Sequence, residues 1–176
     1  PAIIILNHFS FAQSENDRDL ALHYFMQGEF LLKQGNYASA ILELQEAIDL
    51  DPNVSTIHVS IADAYRRLGK NRRAEIHLDI ALDLNPKEVE AHELLGELYI
   101  SQKRLLEAEN TYNELNRIQP DNIDYIFALA DICRIQKKWH NAIDYYLKAY
   151  KVNSDLLSAL ENAIQISLAT NDYIKS

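Results

Sequence analysis

The feature that most constrains this sequence is a period of 34 residues. Three of its four prolines, Pro52, Pro86 and Pro120, stand 34 residues apart, and small and apolar residues recur at matching places in the intervals between them. A fixed period of this length is typical of chains that stack copies of one small structural unit. We therefore expect a repeat architecture, in which the core is built by stacking neighbouring copies.

Each copy is numbered here as positions 1 to 34, beginning at residues 21, 55, 89 and 123. Small residues at positions 8 and 20 predict two helices that approach closely, because a large side chain there would overpack the contact. In the first copy these helices are expected near residues 20–34 and 37–50, and Gly35 provides the positive φ that the turn between them needs. Proline at position 32 is expected to end the second helix, although Ser154 replaces it in the fourth copy. The small residues are Gly28, Ala62, Gly96 and Ala130 at position 8, and Ala40, Ala74, Ala108 and Ala142 at position 20.

The second copy reads His58-x2-Ile61-Ala62-x2-Tyr65, then Ala74-x3-Leu78 and Pro86. This pattern resembles the tetratricopeptide repeat (TPR), WxxLGxxY…AxxxF…P, over about residues 21–154. The resemblance implies an all-α, right-handed superhelical solenoid of antiparallel helix pairs, with about four and a half repeats and a concave groove lined by the first helices. It also implies a non-catalytic protein-protein interaction module or scaffold that binds a peptide or protein segment, and not an enzyme. The family's tryptophan is replaced by Tyr24, His58, His92 and Ile126.

The period divides the chain into four units of approximately 21–54, 55–88, 89–122 and 123–156. Residues 157–176 are expected to form a partial fifth repeat or a capping helix, with Tyr173 near the start of its second helix. Residues 1–20 have two interpretations. They form either an irregular apolar arm over the first helix pair or the remnant of a signal peptide cleaved after Ala12. The second interpretation predicts an exported or periplasmic protein and the first a cytoplasmic one.

Charge and composition narrow the classes of partner. The formal net charge is −9, which argues against nucleic acid, because phosphate binding requires concentrated lysine and arginine. No run of about 18 apolar residues is present, so no transmembrane segment is predicted. Charge, where it matters, favours a basic protein or peptide partner.

Neither a cofactor nor a metal site is predicted. His58 and His92 share position 4 in successive copies, and we expect them to be packed aromatic substitutes for tryptophan, since a metal site needs three or four convergent ligands. Cys133 occupies the position held by Tyr65 and Tyr99, which predicts a buried core thiol.

The candidate binding surface is the stripe of first-helix residues at positions 2, 5, 9 and 12, which lie three or four residues apart, together with Lys33 and Arg67 at position 13. Position 9 carries a carboxylate in all four copies, and apolar residues lie among the charges. This pattern predicts a groove that is acidic along its middle and has apolar side chains that a ligand can contact. The candidates are Phe25, Glu29, Lys33, Val59, Asp63, Arg66, Arg67, Glu90, Glu93, Glu97, Ile100, Asp124, Phe127, Asp131 and Arg134.

Several functions remain open at this stage. Chaperone-binding members of the TPR family clamp an acidic C-terminal tail with lysine and asparagine, but here Phe25, Glu29, Ser60, Glu90 and Leu94 stand at those positions. A basic and apolar partner is therefore expected. One alternative is a self-associating scaffold, a homo-oligomer formed through the C-terminal helix, where apolar residues tend to mark an interface. The other is that the chain is the recruiting arm of a larger multidomain enzyme. The apolar residues of that helix are Leu156, Leu157, Leu160, Ile164 and Leu168.

Overall fold

A computed structural model describes the backbone of residues 2–170 and the side chains of residues 16–170. Within that part the chain forms nine α-helices and no strand, as the repeat pattern predicts. The helices are α1 (Ala2–Lys33), α2 (Tyr37–Leu50), α3 (Ser55–Arg67), α4 (Asn71–Leu84), α5 (Val89–Ser101), α6 (Leu105–Ile118), α7 (Ile123–Ile135), α8 (Trp139–Val152) and α9 (Leu157–Thr170).

The sequence period reappears in the helix boundaries. The second helices α2, α4, α6 and α8 begin at residues 37, 71, 105 and 139, and the first helices α3, α5, α7 and α9 begin at residues 55, 89, 123 and 157. Both series advance by 34 residues, so each copy has the same helix–turn–helix plan. The chain divides into two compact units, unit 1 over residues 1–91 and unit 2 over residues 92–176.

Helix α1 is longer than the sequence predicts. Its backbone is helical from Ala2, whereas the apolar pattern indicates a helix only from about residue 20. The side chains of residues 1–15 lie outside the described residues, and so does the interpretation of residues 1–12 as a signal-peptide remnant or packed arm. The predicted start of a further helix at Tyr173 also lies outside them. No helix in the described part is long and apolar enough to span a membrane.

The small residues pack as predicted. Ala62, Ala130 and every alanine at position 20 are buried, and so are the residues at position 27. The contact between α1 and α2 is so close that a Cβ on Gly28 would lie 2.5 Å from Cγ of Leu44. On Gly96 in α5, a Cβ would lie 2.8 Å from the ring of Tyr112 in α6. These distances explain why large residues are excluded from position 8.

The turn between the two helices of each copy contains a residue with positive φ, as predicted for Gly35. Gly35 and Gly69, at position 15, have φ values of +76° and +70°. Lysine takes the same conformation in the other two copies, where Lys103 and Lys137 both have φ of 60°. The turn geometry is therefore kept even where an L-residue must adopt the left-handed region at a cost.

The second helices end at the same position whether or not proline follows. Helix α8 ends at Val152, the same position as in the other copies, although Ser154 replaces the proline. The residue after each helix has φ between −132° and −138° in all four copies. Proline favours such a conformation in the residue before it. In the fourth copy the side chain of Asn153 accepts a hydrogen bond from the backbone N–H of Asp155 (3.0 Å), and Asn85 makes the same Asx turn with Lys87 (3.2 Å) in the second copy, where proline is present.

Neighbouring copies are joined by side-chain hydrogen bonds on the second helices. In unit 2, Lys138 Nζ donates to Glu109 (2.6 Å), Tyr145 donates to Asn113 (3.1 Å), and Lys148 Nζ donates to Asn116 (2.9 Å). The partners are 29 to 32 residues apart in sequence. These bonds fix the register of α8 against α6.

Candidate functional site

Five of the predicted groove residues meet in one cleft of unit 1. Helix α1 contributes Glu29 and Lys33, α3 contributes Asp63 and Arg67, and Glu90 comes from the first turn of α5. They line a cleft of about 480 Å³, called here the unit 1 cleft. Its remaining lining residues are Leu32, Gln34, Gly35, Tyr37 and Ser60.

Within the unit 1 cleft, Asp63 is already paired with two arginines of its own helix. Its Oδ1 accepts from Nη2 of Arg66 at 2.7 Å, and its Oδ2 accepts from Nε of Arg67 at 2.8 Å. The Arg67 guanidinium also lies 5.8 Å from the centre of the Tyr37 ring. These contacts, the hydrogen bond to Asp63 above all, raise the pKa of Arg67. Asp63 therefore adds less negative potential to the cleft than the sequence predicts, because two guanidinium groups balance its charge.

Glu29 has a different environment. Its carboxylate accepts a hydrogen bond of 2.5 Å from the hydroxyl of Ser60, which joins α1 to α3. A hydroxyl orients a carboxylate but does not cancel its charge. The charged residues lining the cleft are three acids, Glu29, Asp63 and Glu90, and two bases, Lys33 and Arg67. With Arg66, which pairs with Asp63 from beside the cleft, the acids and bases are equal in number, and Glu29 keeps its negative charge because its partner Ser60 is uncharged.

A larger cleft lies in unit 2 between α7, α8 and α9. It has a volume of about 820 Å³ and is called here the unit 2 cleft. Its walls combine the charged pair Asp131 and Arg134 with aromatic, aliphatic and carboxamide side chains. The other lining residues are Trp139, Tyr146, Asn162, Gln165, Ile166, Ala169 and Thr170.

The negative charge of Asp131, like that of Asp63, is balanced by an arginine of its own helix. Its Oδ1 accepts from Nη2 of Arg134 at 3.0 Å and from the hydroxyl of Tyr146 at 2.6 Å. Burial, together with this bond to Asp131, raises the pKa of Tyr146 to about 12, so its hydroxyl remains a donor at neutral pH. The predicted groove residues Ile100, Asp131 and Arg134 also line an adjoining, mostly apolar cleft of about 350 Å³ with Leu105, Ala128, Ile132 and Ile135.

Position 5 departs from the predicted stripe. Val59 is only 2% exposed, so it cannot contact a ligand without local opening, and the prediction is corrected for this residue. Phe25 packs against the core of unit 1, although it also lines a small cleft of about 220 Å³. Phe127 packs edge-to-face on Tyr146, with ring centres 5.6 Å apart. In the first, second and fourth copies position 5 therefore serves mainly to pack helices together, whereas the third copy has Glu93 at this position.

The remaining predicted residues are dispersed. Glu93 accepts a hydrogen bond of 2.5 Å from the hydroxyl of Tyr125, which lies at position 3 of the next copy. Glu97 and Asp124 are exposed on α5 and α7, and Arg66 is half-buried beside Asp63. These four residues do not line either of the two larger clefts.

Both clefts contain residues that the predicted stripe on the first helices does not include. Tyr37 and Trp139 stand at position 17, the first residue of the second helix, and each lines the cleft of its unit. The available signal is an aromatic residue at the same position in the first and fourth copies. Asn162 and Gln165 on α9 are also missed, and their carboxamides can both donate to and accept from a peptide backbone.

The histidine and cysteine predictions have separate outcomes. His58 is buried, as expected of a substitute for tryptophan. Its ring forms a hydrogen bond with the ring of His77, in the same copy. Cys133 is buried, and burial raises the pKa of its thiol. Among the side chains of residues 16–170, no group of three or more His, Cys, Asp or Glu residues could hold a metal ion.

Comparison with known families agrees with this architecture. A tetratricopeptide repeat model matches residues 59–123, and a second TPR repeat model matches residues 28–69. The chain belongs to the tetratricopeptide repeat family. Proteins of this fold generally act as non-catalytic modules for protein–protein interaction.

Individual relatives support the same class. RNA polymerase II-associated protein 3 of Homo sapiens is 27% identical over 170 residues, covering 90% of this chain and 26% of that protein. The chain therefore spans about a quarter of that relative's length. MamA from Desulfovibrio magneticus RS-1 has a TM-score of 0.75 at 18% identity, covering 88% of this chain and 87% of MamA, which is a likeness of fold. The first TPR of Spaghetti (RPAP3), bound to the HSP90 peptide SRMEEVD, is 28% identical with a TM-score of 0.64, covering 68% of this chain and 95% of that one.

Proposed function

We propose that this chain is a non-catalytic binding module that takes basic and apolar protein segments in its two clefts. The observation that carries the proposal is the unit 1 cleft, where residues of three first helices converge on one polar cavity. The Glu29 carboxylate, whose hydrogen-bond partner Ser60 is uncharged, favours a cationic side chain there. The unit 2 cleft supplies apolar wall from Ile166 and Ala169, which suits an uncharged anchor residue.

An acidic C-terminal tail is not the proposed ligand. The Spaghetti domain holds the peptide SRMEEVD, and the resemblance to chaperone-binding TPR proteins predicts lysine and asparagine at its contacts. In this chain Glu29 stands at one of those places, oriented by Ser60 at 2.5 Å. A carboxylate held there would repel an acidic ligand. We therefore expect the preference for charge to be opposite to that of the Spaghetti domain.

The preference of the unit 1 cleft can be tested by peptide titration. A synthetic peptide of alternating lysine and leucine should bind more tightly than SRMEEVD, and increasing salt should weaken it. Glu29→Gln keeps a hydrogen-bond acceptor for Ser60 but removes the charge, so we expect the lysine peptide to bind about two- to five-fold more weakly. Glu114→Gln, which removes one exposed carboxylate from α6, is the matched control and should have no effect. Equal losses in both variants, or tighter binding of SRMEEVD, would contradict the proposal.

The unit 2 cleft contains a tryptophan whose fluorescence can report binding. Trp139 is the chain's single tryptophan and lines this cleft, so its fluorescence should change when an apolar anchor enters. Ala169→Arg places a long side chain in the cleft and should abolish the response. Asn110→Arg, at an exposed position of α6, makes a comparable change elsewhere and should preserve it. A response that survives Ala169→Arg would mean that the ligand binds somewhere else.

A second candidate function is self-association through α9. Leu157, Ile164 and Leu168 are 59%, 43% and 69% exposed, and they lie along one side of the helix at seven- and four-residue spacings. Leu168→Glu should shift a concentration-dependent mass, measured by light scattering, toward the monomer. Leu42→Glu is a closely matched control, because Leu42 on α2 is also 69% exposed. A wild-type chain that is monomeric at all concentrations would exclude this function.

The recruiting-arm alternative remains a prediction. It depends on what the complete reading frame encodes, and sequencing that frame tests it directly.

A further inference from the structure

Two histidines face each other between α3 and α4. The Nδ1 atom of His58 lies 3.1 Å from the Nδ1 atom of His77, and the ring centres are 5.4 Å apart. His58 is buried and His77 is half-buried. The Tyr65 ring continues the stack, with its centre 5.6 Å from that of His77. This contact lies within the helix pair of the second copy and therefore helps to hold α3 against α4.

The geometry of the pair restricts how many protons it can carry. A hydrogen bond between two Nδ1 atoms requires one ring to carry its proton there and the other ring to leave Nδ1 bare. One additional proton can be accommodated on the far nitrogen of the donor ring. A second would place two N–H groups against each other at 3.1 Å and two positive charges between packed helices.

The surrounding groups offer little compensation for such charge. On α4, the guanidinium of Arg73 lies 5.5 Å from the centre of the Tyr65 ring and adds positive charge on that side. The backbone carbonyl of Pro52 favours the protonated form of His58, but burial outweighs it and lowers the pKa of His58. Burial likewise lowers the pKa of His77, with a smaller contribution from the charge of His58.

The other elements packed on α3 supply mostly apolar groups. Helices α1 and α2 bring Tyr24 and Leu44 against Ile57 and Ile61 of α3. The carboxylate of Glu88 is occupied by the hydroxyl of Ser55, at 2.8 Å, one turn before His58.

We propose that the His58–His77 pair is a proton-sensitive clamp, which holds α3 on α4 at neutral pH and releases this helix pair when both rings become protonated. The same positions of the fourth copy hold Ile126 and Tyr145, which packs against the core cluster of Ile126, and neither takes up a proton on acidification. The α7–α8 pair, which has no histidine at these positions, should therefore respond less to the same change in pH.

Hydrogen exchange on the full chain tests the clamp without any ligand. After correction for intrinsic exchange, protection of α3 and α4 amides should fall by about tenfold or more between pH 7.5 and pH 4.5, relative to α7 and α8. His77→Phe keeps an aromatic ring but removes the proton site, so this relative loss should disappear. His140→Phe, which changes an exposed histidine of α8, is the matched control and should retain it.

Two results would overturn the clamp. One is amide protection of α3 and α4 that changes with pH in the same way as that of α7 and α8. The other is a loss of α3–α4 protection in His77→Phe as large as in the wild-type protein. If His77→Phe fails to fold, ring resonances of the wild-type protein decide the question by NMR. Two histidines that titrate independently near pH 6.5 within the folded state would exclude the clamp.

A consequence for binding rests on the proposed function. Helix α3 carries Ser60, Asp63 and Arg67 of the unit 1 cleft, so release of α3 should weaken the lysine–leucine peptide at pH 4.5 in wild type but much less in His77→Phe. Absence of peptide binding at pH 7.5 would refute the proposed function alone. The exchange experiment would still decide the clamp.

Discussion

Replacing Gly28 by alanine should destabilise the protein, although alanine is the better helix former. The added Cβ would lie 2.5 Å from Cγ and 2.7 Å from Cδ2 of Leu44. Leu44 is fully buried, so its side chain has no free space into which to move. Helix α1 and helix α2 must therefore separate, or Leu44 must leave its preferred rotamer.

The size of the effect follows from two opposing contributions. Overpacking a well-packed contact costs about 1 to 3 kcal/mol, whereas glycine to alanine within a helix gains about 1 kcal/mol. The rigid surroundings of Leu44 favour the upper half of the first range. We therefore expect the free energy of unfolding to fall by about 1 to 2 kcal/mol.

Urea denaturation followed by circular dichroism measures this change. Gly96→Ala is the graded comparison, because its Cβ would meet the ring edge of Tyr112 at 2.8 Å, and that side chain is 9% exposed. The ring can move slightly outward, so we expect a change of about 1 kcal/mol or less. A Gly28→Ala protein that is more stable than wild type by about 1 kcal/mol, the gain from propensity alone, would refute the packing explanation.

Three further predictions concern single residues. The pKa of His77 is lowered to about 4, below its ordinary value of 6.5, so the unfolded chain takes up this proton first as the pH falls. The free energy of unfolding should therefore decrease from about pH 6.5 to pH 4 by up to roughly 3 kcal/mol, then level off, and the difference between wild type and His77→Phe in urea measures it. Lys137→Gly should raise the unfolding free energy by about 0.5 to 1 kcal/mol, because glycine adopts the φ of 60° without the steric cost that an L-residue bears; a lower melting temperature would contradict this. Cys133, buried and with a raised pKa, should react with a thiol reagent only in denaturant, and rapid reaction of the native protein would show that the core opens there.

The fold follows from sequence because its determinants repeat. Positions 8 and 20 are small in each copy, and the alanines at these positions in the second and fourth copies, Ala62, Ala74, Ala130 and Ala142, are all buried. A constraint that appears four times at one spacing can be recognised without coordinates. The burial of Cys133 is predicted correctly for the same reason, because Tyr65 and Tyr99 hold the same position in other copies.

The candidate site is less predictable because helical spacing shows which residues share a face but not what lies opposite. Val59 and Glu93 fall on the predicted stripe, yet Val59 is buried, and Glu93 receives the hydroxyl of Tyr125 from the next copy. Trp139 lies on a second helix and enters a cleft formed mainly by first helices. The partnership of His58 with His77 joins two helices at a spacing that no one-helix pattern includes.

The hydrogen bonds that join neighbouring copies have a consequence for folding. Lys138 and Glu109 are 29 residues apart, and Ser60 and Glu29 are 31 apart, so these tertiary contacts form without closing a long loop of chain. Chains with such short-range contacts have low contact order and fold quickly. Nucleation can begin in any pair of neighbouring copies and spread to the next, as in other repeat proteins. A substitution that slows one copy therefore leaves the others able to start.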